Sequence, residues 1–132
     1  MTQATNLQEY LSQCCDKYDF LGCVVADGDG LMLAMSGEDM RDEFIAHLSG
    51  WLSSGSKISE LGGIGSMACC CVVPRNKTAL MLAWGIERDH NQQLFFAALT
   101  KKIPPKVVAS LDNIAEQVKK FVNPIKITSH VG

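Results

Sequence analysis

The amino-acid sequence predicts an α+β fold: a single five-stranded antiparallel sheet with helices on both faces, in the order α-β-β-α-β-β-β-α. Three features carry that prediction. Apolar stripes of helical period recur near the start, in the middle and towards the end of the chain, and an Asp-Gly turn joins two short apolar runs after the first stripe. Three further runs of strand composition then follow one another closely. Strands joined by so few residues pair antiparallel, because a parallel return needs a crossover of about a dozen residues. The first and last helices are expected to share one face of the sheet, with the middle helix covering the other.

The elements follow in chain order. Leu7, Tyr10, Leu11, Cys14, Cys15 and Tyr18 recur at three and four residues, with Thr5 and Gln8 as a capping box, and predict the first helix. Leu21 to Met35 reads as a β-hairpin turning at Asp27-Gly28-Asp29-Gly30. Ser36 and Asp39 offer a second capping box, and Met40, Phe44, Ile45, Leu48, Trp51 and Leu52 predict a middle helix to about Ser53 or beyond. Ser53, Ser54, Gly55 and Ser56 are helix breakers, yet Ile58 and Leu61 continue the apolar rhythm. After the glycine-rich connection 61–66 come strands expected at Met67–Val73, Ala79–Ile86 and Leu94–Thr100. Pro104 and Pro105 mark the start of a last helix, whose stripe runs from Val107 through Leu111, Ile114 and Val118 to Val122, before Asn123-Pro124.

Length and composition fit one domain over residues 1–132, with a core at about 5–123 and a C-terminal tail at 124–132. A chain of this length buries on the order of 68% of the surface its unfolded form exposes, so one core suffices without cross-links. Twelve basic and fourteen acidic side chains leave no positive excess for tracking phosphates, which argues against nucleic acid as a partner. No apolar run approaches the roughly 20 residues that span a bilayer, and residues 1–7 lack the pattern of a secretory leader, so a cytoplasmic location is expected. The six cysteines lie within apolar stretches and are read as reduced and mostly buried.

The run Gly22-Cys23-Val24-Val25-Ala26-Asp27, followed by Gly30-Leu31-Met32-Leu33-Ala34, is similar to the opening hairpin of the roadblock/dynein light-chain-like family, within the profilin-like superfold. The element order from about Tyr10 to Phe121 resembles that family as a whole, which includes the Mgl-type regulators. The resemblance implies a dimer in which middle helices pack together and central strands pair edge to edge. It further implies a partner rather than a substrate: a small Ras-like GTPase or a subunit of a larger complex. The cluster Cys69-Cys70-Cys71 and the long connection from Arg88 to Gln93 depart from the family pattern.

Several motifs bear on chemistry. Gly63-Ile64-Gly65-Ser66-Met67-Ala68 spells a dinucleotide fingerprint, but it follows a helix and precedes a strand, so no helix N-terminus meets a pyrophosphate. Asp27-Gly28-Asp29-Gly30 starts like a calcium loop, with Glu38 at its twelfth position, but Leu31 and Met32 stand where a ligand and the turn glycine belong. Successive strand cysteines point to opposite faces, so Cys69, Cys70 and Cys71 cannot serve one metal, and neither metal nor cofactor is expected. Cys70 with His47 or His90 is the weakest of three functional readings, a thiol enzyme; apolar strand thiols are ordinarily inert. The carboxylates Glu38-Asp39 and Asp42-Glu43 complement the positive end of the middle helix.

The leading reading is therefore a non-enzymatic homodimeric adaptor or small-GTPase regulator. Its dimer interface is expected at Phe44, His47, Leu48 and Trp51 of the middle helix, with Met67, Cys69 and Cys71 of the third strand. That helix carries apolar residues on more than one face, and the third strand is apolar at every position. Lys101, Lys102 and Lys106 form a basic cluster that would suit an acidic partner surface. The alternative reading is a small-molecule sensor of GAF or profilin-like type, its pocket lined by the glycine loop and the strand meander.

Overall fold

The computed structural model describes residues 4–37, 42–76, 78–87 and 93–122. The order is α1 (Leu7–Tyr18), β1 (Phe20–Asp27), β2 (Met32–Gly37), α2 (Asp42–Leu61), β3 (Cys70–Val72), β4 (Leu80–Glu87), β5 (Gln93–Thr100) and α3 (Val107–Val122). The strands form one antiparallel sheet in the order β2-β1-β5-β4-β3. The predicted α+β architecture and its element order are therefore those of the molecule. Glu38, Asp39, Met40, His90 and the C-terminal tail lie outside the described residues.

Strand alternation sends neighbouring residues into two separate cores. Cys23, Val25, Leu82, Trp84, Ile86, Leu94, Phe96 and Ala98 point to one face, where Leu11 and Cys14 of α1 and Leu111, Ile114 and Val118 of α3 cover them. Trp84 and Phe96 stack there at 4.5 Å between ring centroids. Val24, Ala26, Ala83, Phe95 and Ala97 point to the opposite face, beneath Ile45, Leu48 and Leu52 of α2. This is the predicted division of the helices, two on one face and one on the other.

Local chemistry fixes the ends of the elements. The N-cap of α1 is one residue later than the capping box predicted at Thr5. Asn6 Oδ1 accepts from the Glu9 backbone N–H at 2.9 Å, and the Glu9 carboxylate accepts from the Thr5 backbone N–H and hydroxyl, both at 2.8 Å. Those two bonds hold the Glu9 carboxyl below its usual range. Gln8 is thereby released for a different task. Its amide donates to the Met35 carbonyl and accepts from the Met35 N–H at 3.3 Å, so one side chain occupies the outward-facing peptide groups of edge strand β2. Ser12 and Ser36 hydroxyls meet at 3.0 Å beside it.

At the hairpin tip, Asp27 Oδ1 accepts from the N–H groups of Asp29 and Leu31 at 2.9 and 3.0 Å, and Gly30 takes φ +85°. Asp27 thus organises the turn itself.

The middle helix takes the longer of its expected extents, and the third strand differs from expectation. The middle helix runs through its breakers to Leu61, because Gly55 is where β3 comes closest: a Cβ there would meet Cys70 Sγ and stand 2.8 Å from Met67 Sδ. The third strand is three residues long rather than the seven of Met67–Val73, and among the described residues it pairs with β4 alone. Met67 turns onto α2 instead, with Cys70 Sγ 3.3 Å from its sulfur. Within the single chain Cys71, Val72 and Val73 are exposed.

Glycine substitutions separate the constrained positions from the open ones. Gly37 has φ +83°, and a Cβ on it would lie 2.6 Å from Gly22 Cα, so Gly37→Ala is expected to cost on the order of 3 kcal/mol in urea unfolding. Gly55→Val should cost about 2 kcal/mol by lifting β3 from α2. Gly50, in the same helix, has nothing within 4 Å of the place a Cβ would take, and Gly50→Ala should instead gain up to about 1 kcal/mol.

Candidate dimerisation surface

Helix α2 crosses the sheet from the β1–β2 hairpin, where Gly30 approaches Ala46, to β3, where Gly55 approaches Cys70. Ile45, Leu48, Leu52 and Ser59 form its buried stripe. Beside that stripe lies a second one, Phe44, His47, Trp51, Ser54, Ile58 and Leu61, alternating at three and four residues, the spacing by which helices pack on one another. Phe44 and Trp51 are half-buried and meet edge to face at 6.5 Å; His47 is exposed, and Ile58 and Leu61 are 71% and 84% exposed.

The second stripe is continuous with the free edge of the sheet. Phe44, His47 and Trp51 line an almost wholly apolar groove of about 360 Å³, together with Val72 of β3 and Met81 of β4. Val72 and Met81 are register partners, which places both side chains on the α2 face. Among the described residues the outer edge of β3 has no strand beside it, so its backbone groups are available for pairing.

The predicted interface residues divide into two sets. The structure brings Phe44, His47 and Trp51 together on the groove, with Met67 packed partly under α2 nearby. Leu48 is only 1% exposed and belongs to the chain's own core, because it lies on the inner stripe of the helix. Cys69 packs on the α1/α3 face, and Cys71, exposed, shares that face through its register with Leu82. These three side chains therefore do not line the α2-face groove. Val72, Met81, Ile58 and Leu61 were missed: the sequence shows the apolar residues but not the strand order that puts β3 at an edge.

The remaining candidates stand apart. Lys101, Lys102 and Lys106 are exposed where β5 ends and α3 begins, Lys106 with φ +51°, and none lines the groove. Cys70 contacts Met67 and the Trp51 carbonyl rather than a histidine, and burial raises its thiol pKa. No group of three or more metal-ligating side chains lies together among the described residues, and no described helix is long and apolar enough to cross a membrane. A second groove of about 680 Å³ runs along the other flank of α2, walled by Ser49, Gly50, Ser53 and Ser56, floored by Gly85 and Phe95, and bordered by Met67 and Ala68.

Comparison of the sequence with protein-family models gives no match. Comparison with curated protein sequences gives none either. Comparison of the structure is informative. A roadblock/LC7 domain from Streptomyces avermitilis superposes with a TM-score of 0.62 at 18% identity, over 87% of this chain and 95% of that one. Myxococcus xanthus MglB gives 0.64 at 9% identity, over 89% and 96%. The gliding protein MglB of Thermus thermophilus gives 0.60 at 11% identity, over 83% and 82%. With most of this chain and nearly the full length of the first two of those domains matched, the chain has the roadblock/LC7 fold.

Proposed function

We propose that the chain works as a non-enzymatic homodimeric adaptor or regulator of a small Ras-like GTPase. The observation that carries the dimer is the continuity of the open β3 edge with the apolar outer stripe of α2. A second copy related by a two-fold axis would satisfy both at once, pairing β3 with β3 in one longer sheet and setting Trp51 and its neighbours against the same helix of the partner. The likeness to MglB structures, one of them in a tetrameric arrangement, supports association as the working state. The GTPase as partner comes from the same likeness of fold and is the finer part of the proposal.

The groove on the other flank of α2 supports a second reading, a small-molecule sensor. Residues of the β4–β5 meander floor it, as that reading expects, whereas the glycine loop 61–66 does not line it and only Met67 and Ala68 beyond that loop border it. A metabolite bound there would raise the thermal midpoint of the purified chain on titration.

Light scattering separates the two readings. The wild-type chain should have a mass near twice 14.4 kDa, and Trp51→Asp should weaken the dimer by about 2 kcal/mol or more and run as a folded monomer by circular dichroism. Immobilised wild-type protein should then retain a small GTPase in one nucleotide state, with Trp51→Asp retaining less. A wild-type monomer over the micromolar range would overturn the homodimer.

A further inference from the structure

Outside the proposed interface, two thiols from different elements lie in direct contact. Cys15 Sγ on α1 and Cys23 Sγ on β1 are 3.7 Å apart, across a separation of eight residues. Each is also held by a backbone carbonyl: Cys15 donates to Ser36 O at 3.9 Å, and Cys23 to Leu11 O at 3.6 Å. A disulfide needs its sulfurs at about 2.05 Å, so closing this pair asks the two sulfurs to approach by roughly 1.7 Å.

We propose that Cys15 and Cys23 are a redox modification site, a dithiol that closes to an intramolecular disulfide under small hydroperoxides. Their unequal exposure gives each thiol a separate part. Cys15 is half-buried and meets the oxidant, whereas Cys23 has no exposed surface and can react only with Cys15. Burial together with the neighbouring sulfurs pushes the Cys23 thiol well above its ordinary range, which suits the second thiol to react rather than the first.

The chemistry balances with hydrogen peroxide as oxidant. The Cys15 thiolate attacks one peroxide oxygen; an S–O bond forms, the O–O bond breaks, and the departing hydroxide leaves as water with the proton that Cys15 gave up. Cys23 then attacks Sγ of the Cys15 sulfenic acid; the S–S bond forms, the S–O bond breaks, and the hydroxyl departs as a second water with the Cys23 proton. Two thiols lose two electrons, and one peroxide becomes two waters.

The other cysteines lack this arrangement. Cys14 is buried in the core with its sulfur engaged by the Tyr10 hydroxyl, and Cys70 meets a methionine sulfur. The bond would also fasten the helix that closes the β2 edge. Gln8 and Ser12, which hold β2, lie on the same helix as Cys15.

Trypsin separates the two thiols, because Lys17 ends the peptide holding Cys15 and Arg41 ends the peptide holding Cys23. Native reduced protein treated with one equivalent of hydrogen peroxide, then alkylated in denaturant and digested, should yield a linked pair of peptides 1–17 and 18–41. Free thiols should fall from six to four and return with dithiothreitol. The link should persist in Cys14→Ser and vanish in Cys15→Ser and Cys23→Ala. In Cys23→Ala, shown folded by circular dichroism, dimedone should trap the Cys15 sulfenic acid. Survival of the link in Cys15→Ser, or its absence from the wild-type digest whatever dimedone traps, would overturn the proposal.

Discussion

A sheet whose inner strands are apolar on both faces must be covered twice, and that requirement organises this molecule. Val24 and Val25 are adjacent and both fully buried, one beneath α2 and the other beneath α1 and α3. Two helices cover one face and a single helix covers the other. An α-helix with its side chains is about 10–12 Å wide, whereas an eight-residue strand such as β4 is about 26 Å long. A helix that crosses the strands therefore leaves part of their length uncovered on either flank. On one flank of α2 the gap is lined by serines and glycines, and on the other by Phe44, Trp51, Val72 and Met81. Water suits the first gap far better than the second.

The two edges of the sheet differ in the same sense. At β2, Gln8 takes both peptide groups of Met35, so a side chain does the work of a neighbouring strand. At β3 nothing equivalent lies outside the strand among the described residues, and the apolar flank of α2 adjoins it. An incoming strand is thus discouraged at one edge and met at the other by both hydrogen-bonding groups and apolar surface. That asymmetry distinguishes the two edges, and it arises within one chain before any partner is considered.

What the sequence disclosed and what it hid follow from the range of each interaction. Alternation and helical spacing are local, so β4 and β5, the hairpin at Asp27 and the helix ending at Val122 were legible to within a residue or so. The apolar excess around Trp51 was legible too, as a helix with more stripes than one core needs. Strand order is not local. Nothing in Cys69-Cys70-Cys71-Val72-Val73 says that the run lies at an edge, so a segment that reads as a doubly buried strand is a short, half-exposed one. The same blindness assigned Leu48 to the outside: a helical wheel shows two apolar stripes but does not say which one the sheet takes.

Gly55 shows why the helix boundary was hard to read. Ser53-Ser54-Gly55-Ser56 has weak helix propensity, and a propensity argument ends α2 there. The tertiary contact outweighs that preference, since only a glycine lets the Cys70 thiol and the Met67 thioether rest directly on the helix backbone. Carrying the helix through this point keeps Ile58 and Leu61 in phase with Phe44 and Trp51 on the outer stripe, past the place where the helix crosses β3. The breaker residues therefore serve close packing and extend the apolar face at once. A sequence that ended α2 at Ser53 would keep the core residues Ile45, Leu48 and Leu52 and lose the half of the stripe that is most exposed. The single chain's own core does not need that half, which leaves Ile58 and Leu61 as apolar surface in water within one chain.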